Sequence, residues 1–301
     1  MMAGKETIAI IGAGLMGHGL AQVFGRAGRT VRVYDAQPMA LDSLHERISA
    51  NLASLGLPDD FGHLITGHRD LAQTVAGADV VIEAAPEKLE IKQQIFSELV
   101  RLAPAGALIA SNTSVIPISN IAADLPTAER ILGTHWWNPP FLVPLVEVVG
   151  TPQTSQASVD KMIALLRDVG KTPVHVMKDV PGFVGNRLQH ALWREAIAIV
   201  AEGIADAETV DTVVKASFGR RLAVLGPLEN ADLVGTDLTL DIHNAVISHL
   251  DRTPGPSPYL KALVADGRLG MKSGRGFRVW SEETIAGVRK RVFDYLKDFK
   301  A

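Results

Sequence analysis

The chain has no cysteine. Disulfides, thiolate metal centres and a cysteine nucleophile are thereby excluded, and the composition fits a reducing compartment. A charge excess is missing too: thirty Lys and Arg face thirty-three Asp and Glu, for a net charge of −3. Nucleic-acid binding usually shows as a basic surplus, so that partner class is not expected. Lys5 and Glu6 precede a short apolar run that Gly12 interrupts, which fits neither a signal-peptide core nor a membrane span. The expected setting is the cytoplasm, with no membrane partner. What is present is ordinary for a folded protein: 47% apolar and 21% charged residues over a length of 301. At about 100 to 200 residues per domain, two domains are expected.

Up to about residue 180, short β-rich runs alternate with amphipathic helical stretches; the runs are Thr7 to Ile11, Thr30 to Tyr34, Asp79 to Glu83, Ala107 to Ala110 and Arg130 to Thr134. This alternation predicts an α/β domain with a mainly parallel, doubly wound sheet. Strands apolar at nearly every position agree with helices on both faces. After Lys178-Asp179-Val180-Pro181-Gly182 the texture becomes helical, with Leu188, Leu192, Ala196 and Val200 at four-residue spacing. Gly203 is placed to stop that helix, Asp206 to cap the next, and a last helix is predicted from about Glu282 to Lys297. The expected division is therefore 1–180, the sheet domain, and 181–301, an all-α domain.

Directly after the first predicted strand comes Gly12-Ala13-Gly14-Leu15-Met16-Gly17, followed by a helical run to about Gly25. In that setting Gly12 permits the tight turn, Gly14 lets backbone approach a pyrophosphate, and Gly17 lets helix and strand pack closely. The helix N-terminus favours the anion. Asp35 closes the second strand twenty-three residues after Gly12, near the spacing at which an acid accepts the ribose hydroxyls. Residues 1–180 thus read as a Rossmann-type domain. Ala36-Gln37 offers no arginine for a 2′-phosphate, so NAD is expected rather than NADP.

Oxidation of an alcohol needs a base near the hydroxyl, and histidine is best tuned for that near neutrality. Of nine histidines, His135 stands out because it ends the apolar run Ile131 to Thr134, at the strand edge where open α/β sheets place ligands. Glu147 follows twelve residues later. A turn and a return strand can bring it back to orient His135; a satisfied structural acid is the competing reading. Ser111-Asn112-Thr113-Ser114 is a second polar cluster at a strand end, readable also as a loop and helix cap. No metal site is expected.

Taken together, GAGLMG with Asp35, EAAPEKLEIK (83–92), SNTS (111–114), HWWNPP (135–140) with Glu147, PGFVGNR (181–187), GPLENADLVG (226–235) and GMKSGRGF (270–277) resemble the L-3-hydroxyacyl-CoA dehydrogenase family over essentially the whole chain. The resemblance implies His135 as base, Glu147 as its partner, and Ser114 and Asn186 as contacts for the substrate oxygen and nearby groups. For the cofactor it implies the turn from Gly12 to Gly17, Leu15 and Met16 included. Asp35 would lie on the adenosine ribose, and Glu87, Lys92, Ser114, Asn138 and Lys272 along the nicotinamide half. A site where the domains meet and a homodimer formed through the helical domain are further implications.

The chain also departs from that pattern. CoA-handling members carry a long, lysine-bearing helical hairpin after the second strand. Here Ala36 to Arg69 is thirty-four residues without a lysine, its formal cations being Arg47 and Arg69. Phosphate recognition needs cations or aimed N–H groups. HWWNPP, too, is closer to relatives acting on free hydroxy acids, the L-gulonate 3-dehydrogenase and lambda-crystallin branch. The expected substrate is a small 3-hydroxy acid, with Arg221 proposed on its carboxylate and Trp136 or Trp137 against the pocket. Three alternatives stay open: a true hydroxyacyl-CoA dehydrogenase, a dehydrogenase using a catalytic lysine, and a structural NAD(H)-binding protein.

Overall fold

The computed structural model describes residues 6–298; Lys5 lies outside them. Eight strands form one sheet: β1 (Thr7–Ile11), β2 (Thr30–Tyr34), β3 (Ile65–His68), β4 (Val80–Glu83), β5 (Leu108–Ser111), β6 (Ile131–Trp136), β7 (Leu145–Gly150) and β8 (Thr172–Val176), in the order β3-β2-β1-β4-β5-β6-β7-β8. Pairing is parallel from β3 through β6, antiparallel between β6 and β7, and parallel again between β7 and β8. The first six strands thus have the doubly wound Rossmann order, which reverses direction between β1 and β4. Ligands of open α/β sheets bind outside the strand ends at such a reversal.

Alternation within each strand explains why both faces are covered. Ile8 and Ile10 of β1 join one apolar cluster, with Val31, Val33, Val80 and Ile82, while Ala9 and Ile11 join the other, with Val81 and Ile109. Successive side chains of a strand point to opposite faces, so a strand apolar at every position needs helices on both. Gly17–Arg26, Leu44–Leu55 and Gln156–Asp168 cover the first face through Leu20, Phe24, Ile48, Leu52, Met162 and Leu166. Leu89–Leu102 covers the second through Phe96 and Leu99.

Two compact units emerge, one running through Arg187 and resumed from Tyr295, the other Leu188–Asp294. The second is helical, with Ala207–Ala216 capped by Asp206, whose side chain accepts from the Thr209 N–H. The final helix is Glu282–Asp298. Among the described residues no helix is long and apolar enough to cross a membrane, and no group of three or more His, Asp or Glu is arranged to hold a metal.

Candidate active site and cofactor turn

At the end of β1 the chain turns under strict backbone constraint. Gly12 has φ +112°, and a Cβ there would sit 2.7 Å from the Ala84 carbonyl oxygen, while one on Gly17 would sit 1.7 Å from the Gly12 carbonyl oxygen. Gly14 differs, since a Cβ there would meet nothing within 4 Å. Its lack of a side chain serves no contact inside the protein, as expected where a ligand comes against the backbone. The helix Gly17–Arg26 begins without an acid in its first turn and without a side-chain cap, leaving N–H groups for an anion. Asp35 follows β2 and accepts from the Ala13 N–H at 2.6 Å and the Gln37 N–H at 2.8 Å. A carboxylate has about four acceptor positions, so capacity remains for ribose hydroxyls. These residues fit a dinucleotide.

Along the same edge, β6 and β7 place His135 and Glu147 directly opposite each other in register. His135 Nδ1 lies 2.7 Å from Glu147 Oε2, with the two side chains 4% and 1% exposed. The other carboxylate oxygen accepts the N–H groups of Val184 at 2.9 Å and Gly185 at 3.0 Å, where the helix Gly185–Ala201 begins. Burial alone would raise the Glu147 pKa, but the His135 hydrogen bond, the two N–H donors and the imidazole's charge outweigh it and hold the group below its ordinary value. Gly185 is required by packing: a Cβ would come within 2.5 Å of the Trp137 ring. Trp137 and Phe183 flank the imidazole, with ring centroids 5.2 and 5.8 Å away.

A cavity of about 330 Å³ opens beside this pair, lined by Met16, Glu87, Ser114, His135, Trp137 and Asn138 among others, and by Asn186. Asn186 Nδ2 donates to the Ser114 carbonyl at 2.8 Å. Glu87 Oε1 accepts the Thr113 hydroxyl at 2.6 Å and the Ser114 and Val115 N–H groups. Burial works to raise its pKa; the Thr113 hydroxyl, Lys92 and those N–H groups prevail and lower it.

Lys92 itself is 1% exposed, and its ammonium meets Glu83 at 2.8 Å, the Ala85 carbonyl at 3.3 Å and Glu87 at 3.3 Å. Three donors thus face three acceptors. Glu83, fully buried at the end of β4, also accepts the Ser111 hydroxyl at 2.6 Å and the Ala85 N–H at 2.7 Å. Sequence reasoning used Glu83 only as a strand end. An acid closing an apolar strand nine residues before a helical lysine was the available signal. Trp136 is buried, edge-on to Phe24, and both it and Trp137 line the cavity. Arg221 and Lys272 belong to the second unit, both exposed, and are not among the residues brought together here.

Two family models match the chain: 3-hydroxyacyl-CoA dehydrogenase, NAD binding domain, over residues 7–180, and 3-hydroxyacyl-CoA dehydrogenase, C-terminal domain, over 182–280. Among similar proteins, 5-formyl-3-hydroxy-2-methylpyridine 4-carboxylate 5-dehydrogenase of Mesorhizobium japonicum is 34% identical over 94% of both chains. A probable 3-hydroxybutyryl-CoA dehydrogenase of Bacillus subtilis is 38% identical over 93% of this chain and 99% of its own. A crystal structure of a 5-formyl-3-hydroxy-2-methylpyridine 4-carboxylic acid 5-dehydrogenase, described as an NAD+-dependent dismutase, superposes with a TM-score of 0.90, at 34% identity, over 97% of this chain and 96% of that one. With a glycine turn fitted to a dinucleotide and matches spanning nearly its whole length, the chain belongs to the 3-hydroxyacyl-CoA dehydrogenase family and is an NAD-dependent dehydrogenase acting on a CH–OH group.

Proposed function

We propose that this dehydrogenase oxidises the secondary alcohol of a small free 3-hydroxy acid to the 3-oxo acid, with His135 as the general base. The 2.7 Å contact between His135 Nδ1 and Glu147 carries the chemical part of this reading. A carboxylate held charged accepts a hydrogen bond from Nδ1–H, which leaves the Nε2 lone pair to take the proton of the substrate hydroxyl. NAD, when bound, supplies the acceptor for the hydride that leaves the carbinol carbon. Glu147 stabilises the imidazolium as it forms. Ser114 donates to the substrate oxygen, Asn186 fixes the Ser114 backbone, and Trp137 walls the pocket beside the imidazole. Met16, Glu87 and Asn138 border the cofactor. Arg221 and Lys272 keep their roles toward substrate carboxylate and cofactor on chemistry alone, a planar guanidinium matching a carboxylate in two parallel bonds.

The preference for a free acid rests on the segment 36–69. Arg47 spends its guanidinium on backbone carbonyls, and Arg69 pairs with Asp42 at 3.3 Å. Arg47 is thereby committed, and the exposed Arg69, already paired with an acid, is the remaining formal cation of the segment for a CoA phosphate. The M. japonicum relative is named for a free pyridine carboxylate. The thioester is the second reading, favoured by the B. subtilis relative's name. A screen of NAD reduction with free 3-hydroxy acids, sugar acids, carnitine-like compounds and 3-hydroxybutyryl-CoA separates them. Higher kcat/KM on a free acid than on the thioester is expected, and the reverse ranking overturns the free-acid assignment.

We also infer a cytoplasmic homodimer assembled through the helical unit. The helices Gly185–Ala201, Ala207–Ala216, Pro227–Val234, Thr236–Val246 and Glu282–Asp298 bury no side chain fully. Trp193, Leu228 and Leu233 are 48%, 80% and 75% exposed. Apolar surface on that scale marks an interface, and a second copy is the partner always present at matching concentration. Light scattering is expected to return twice the chain mass; a monomer at micromolar concentration counts against it.

A further inference from the structure

The Gly14 carbonyl accepts three bonds. The His18 N–H lies 3.3 Å away, His18 Nδ1 2.8 Å and Arg47 Nη1 3.3 Å. His18 is 7% exposed, and Arg47 reaches across from the helix Leu44–Leu55. The guanidinium is itself fixed, since its Nη2 donates to the Ala40 carbonyl at 2.6 Å and its Nε to the Ser43 carbonyl at 3.3 Å. On the other side of the turn, Asp35 holds the Ala13 N–H. The glycine turn is therefore gripped at the two peptides that flank the Ala13–Gly14 link, the first by its N–H and the second by its C=O.

In a planar trans peptide the C=O and the following N–H point in opposite directions. Tying the Gly14 oxygen back toward His18 and Arg47 thus aims the Leu15 N–H the other way. We propose that Arg47 and His18 are positioning residues for the dinucleotide pyrophosphate, holding the Gly14 carbonyl so that the Leu15 N–H is presented to the anion. Neither residue touches the nucleotide in this account. Burial, reinforced by the Arg47 charge against the opposing pull of the Gly14 bond, lowers the His18 pKa. His18 accordingly stays neutral and donates from Nδ1, while Arg47 supplies the permanent charge. The glycine motif alone does not specify this arrangement, because the residues that set the carbonyl come from the fifth and thirty-fourth positions after Gly14, counting it as the first.

The test uses the full-length protein without substrate, by calorimetric titration with ADP-ribose and with adenosine. Arg47→Met keeps the packing of the stem and loses the fork. It is expected to weaken ADP-ribose binding about tenfold, the scale of one charge-assisted hydrogen bond, while adenosine shifts less than about twofold. Saturating NAD restores turnover, so KM rises and kcat holds. Arg69→Met, the other cation of the segment, leaves both ligands unchanged. His18→Asn keeps an N–H donor near the Nδ1 position and retains most of the ADP-ribose affinity, whereas His18→Ala loses it. Arg47→Met binding ADP-ribose like the parent, or losing adenosine equally, overturns the proposal. If Arg47→Met does not fold, the His18 pair decides: equal affinities for the Asn and Ala variants overturn it.

Discussion

Glu83 and Glu147 are carboxylates sealed inside the same sheet, 0% and 1% exposed, and they are compensated in opposite ways. Burying such a group costs several kcal/mol unless opposing charge and hydrogen bonds repay it. For Glu83 the compensation is an ammonium, Lys92, with a hydroxyl and an N–H completing the set. For Glu147 one oxygen is satisfied by two N–H groups at the start of a helix, where the backbone dipole also favours the anion. That leaves the other oxygen to an imidazole, whose hydrogen bond adds to those that keep the carboxylate charged. The difference separates a carboxylate that braces the strand ends from one that can support a base through a catalytic cycle.

Exchanging each acid for its amide tests the distinction. Glu147→Gln is expected to lower kcat by about 10² to 10⁴, the range of general-base catalysis, through loss of the oriented tautomer. That is roughly 3 to 5 kcal/mol of transition-state stabilisation. Its cofactor affinity, measured by titration, should stay near the parent's. Glu83→Gln leaves a buried ammonium short of its nearest anion, a change that costs about 3 to 5 kcal/mol of stability, read by urea unfolding. Its kcat, corrected for folded fraction, should fall less than about tenfold. Glu83→Gln matching Glu147→Gln in kcat loss would dissolve the comparison, as would a Glu147→Gln enzyme with parental turnover.

The sequence made one of these acids visible and hid the other, for a physical reason. Glu147 lies within an apolar run a hairpin's length from a histidine, and a return strand is the simplest way to pair them. Glu83 finds Lys92 and Ser111 through a helical connection and a neighbouring strand, and no local period carries that. The same contrast runs through the sheet. β1, β2, β4, β5 and β6 were legible as apolar runs bounded by turn residues, with ends within a residue or two. β3 is four residues with one fully buried side chain, too weak a pattern to register. β8 contains Pro173 and is mostly exposed, which reads against a strand although an edge position tolerates it. The burial of Lys92 was illegible because it depends on two carboxylates, one at the end of β4 and one in the connection after it, folding back onto the helix.

A smaller effect reads the same comparison through pH. Glu147 sits below its ordinary value of 4.5 because its N–H donors and His135 outweigh the burial that opposes them. A carboxyl group with a folded pKa below its unfolded one stabilises the fold above the unfolded value and loses that contribution as pH falls through the folded one. The stability gap between parent and Glu147→Gln, measured by urea unfolding, should therefore be present near about pH 5.5 and narrow toward about pH 3.5. Protonation then turns the parent's carboxylate into a neutral group much like the amide, with the same two N–H donors short of an anion. A gap that stays constant or widens on acidification would mean that the anion gains nothing from its surroundings. The helix start at Gly185 would then hold Glu147 by shape alone, and the distinction from Glu83 would rest on geometry rather than on charge.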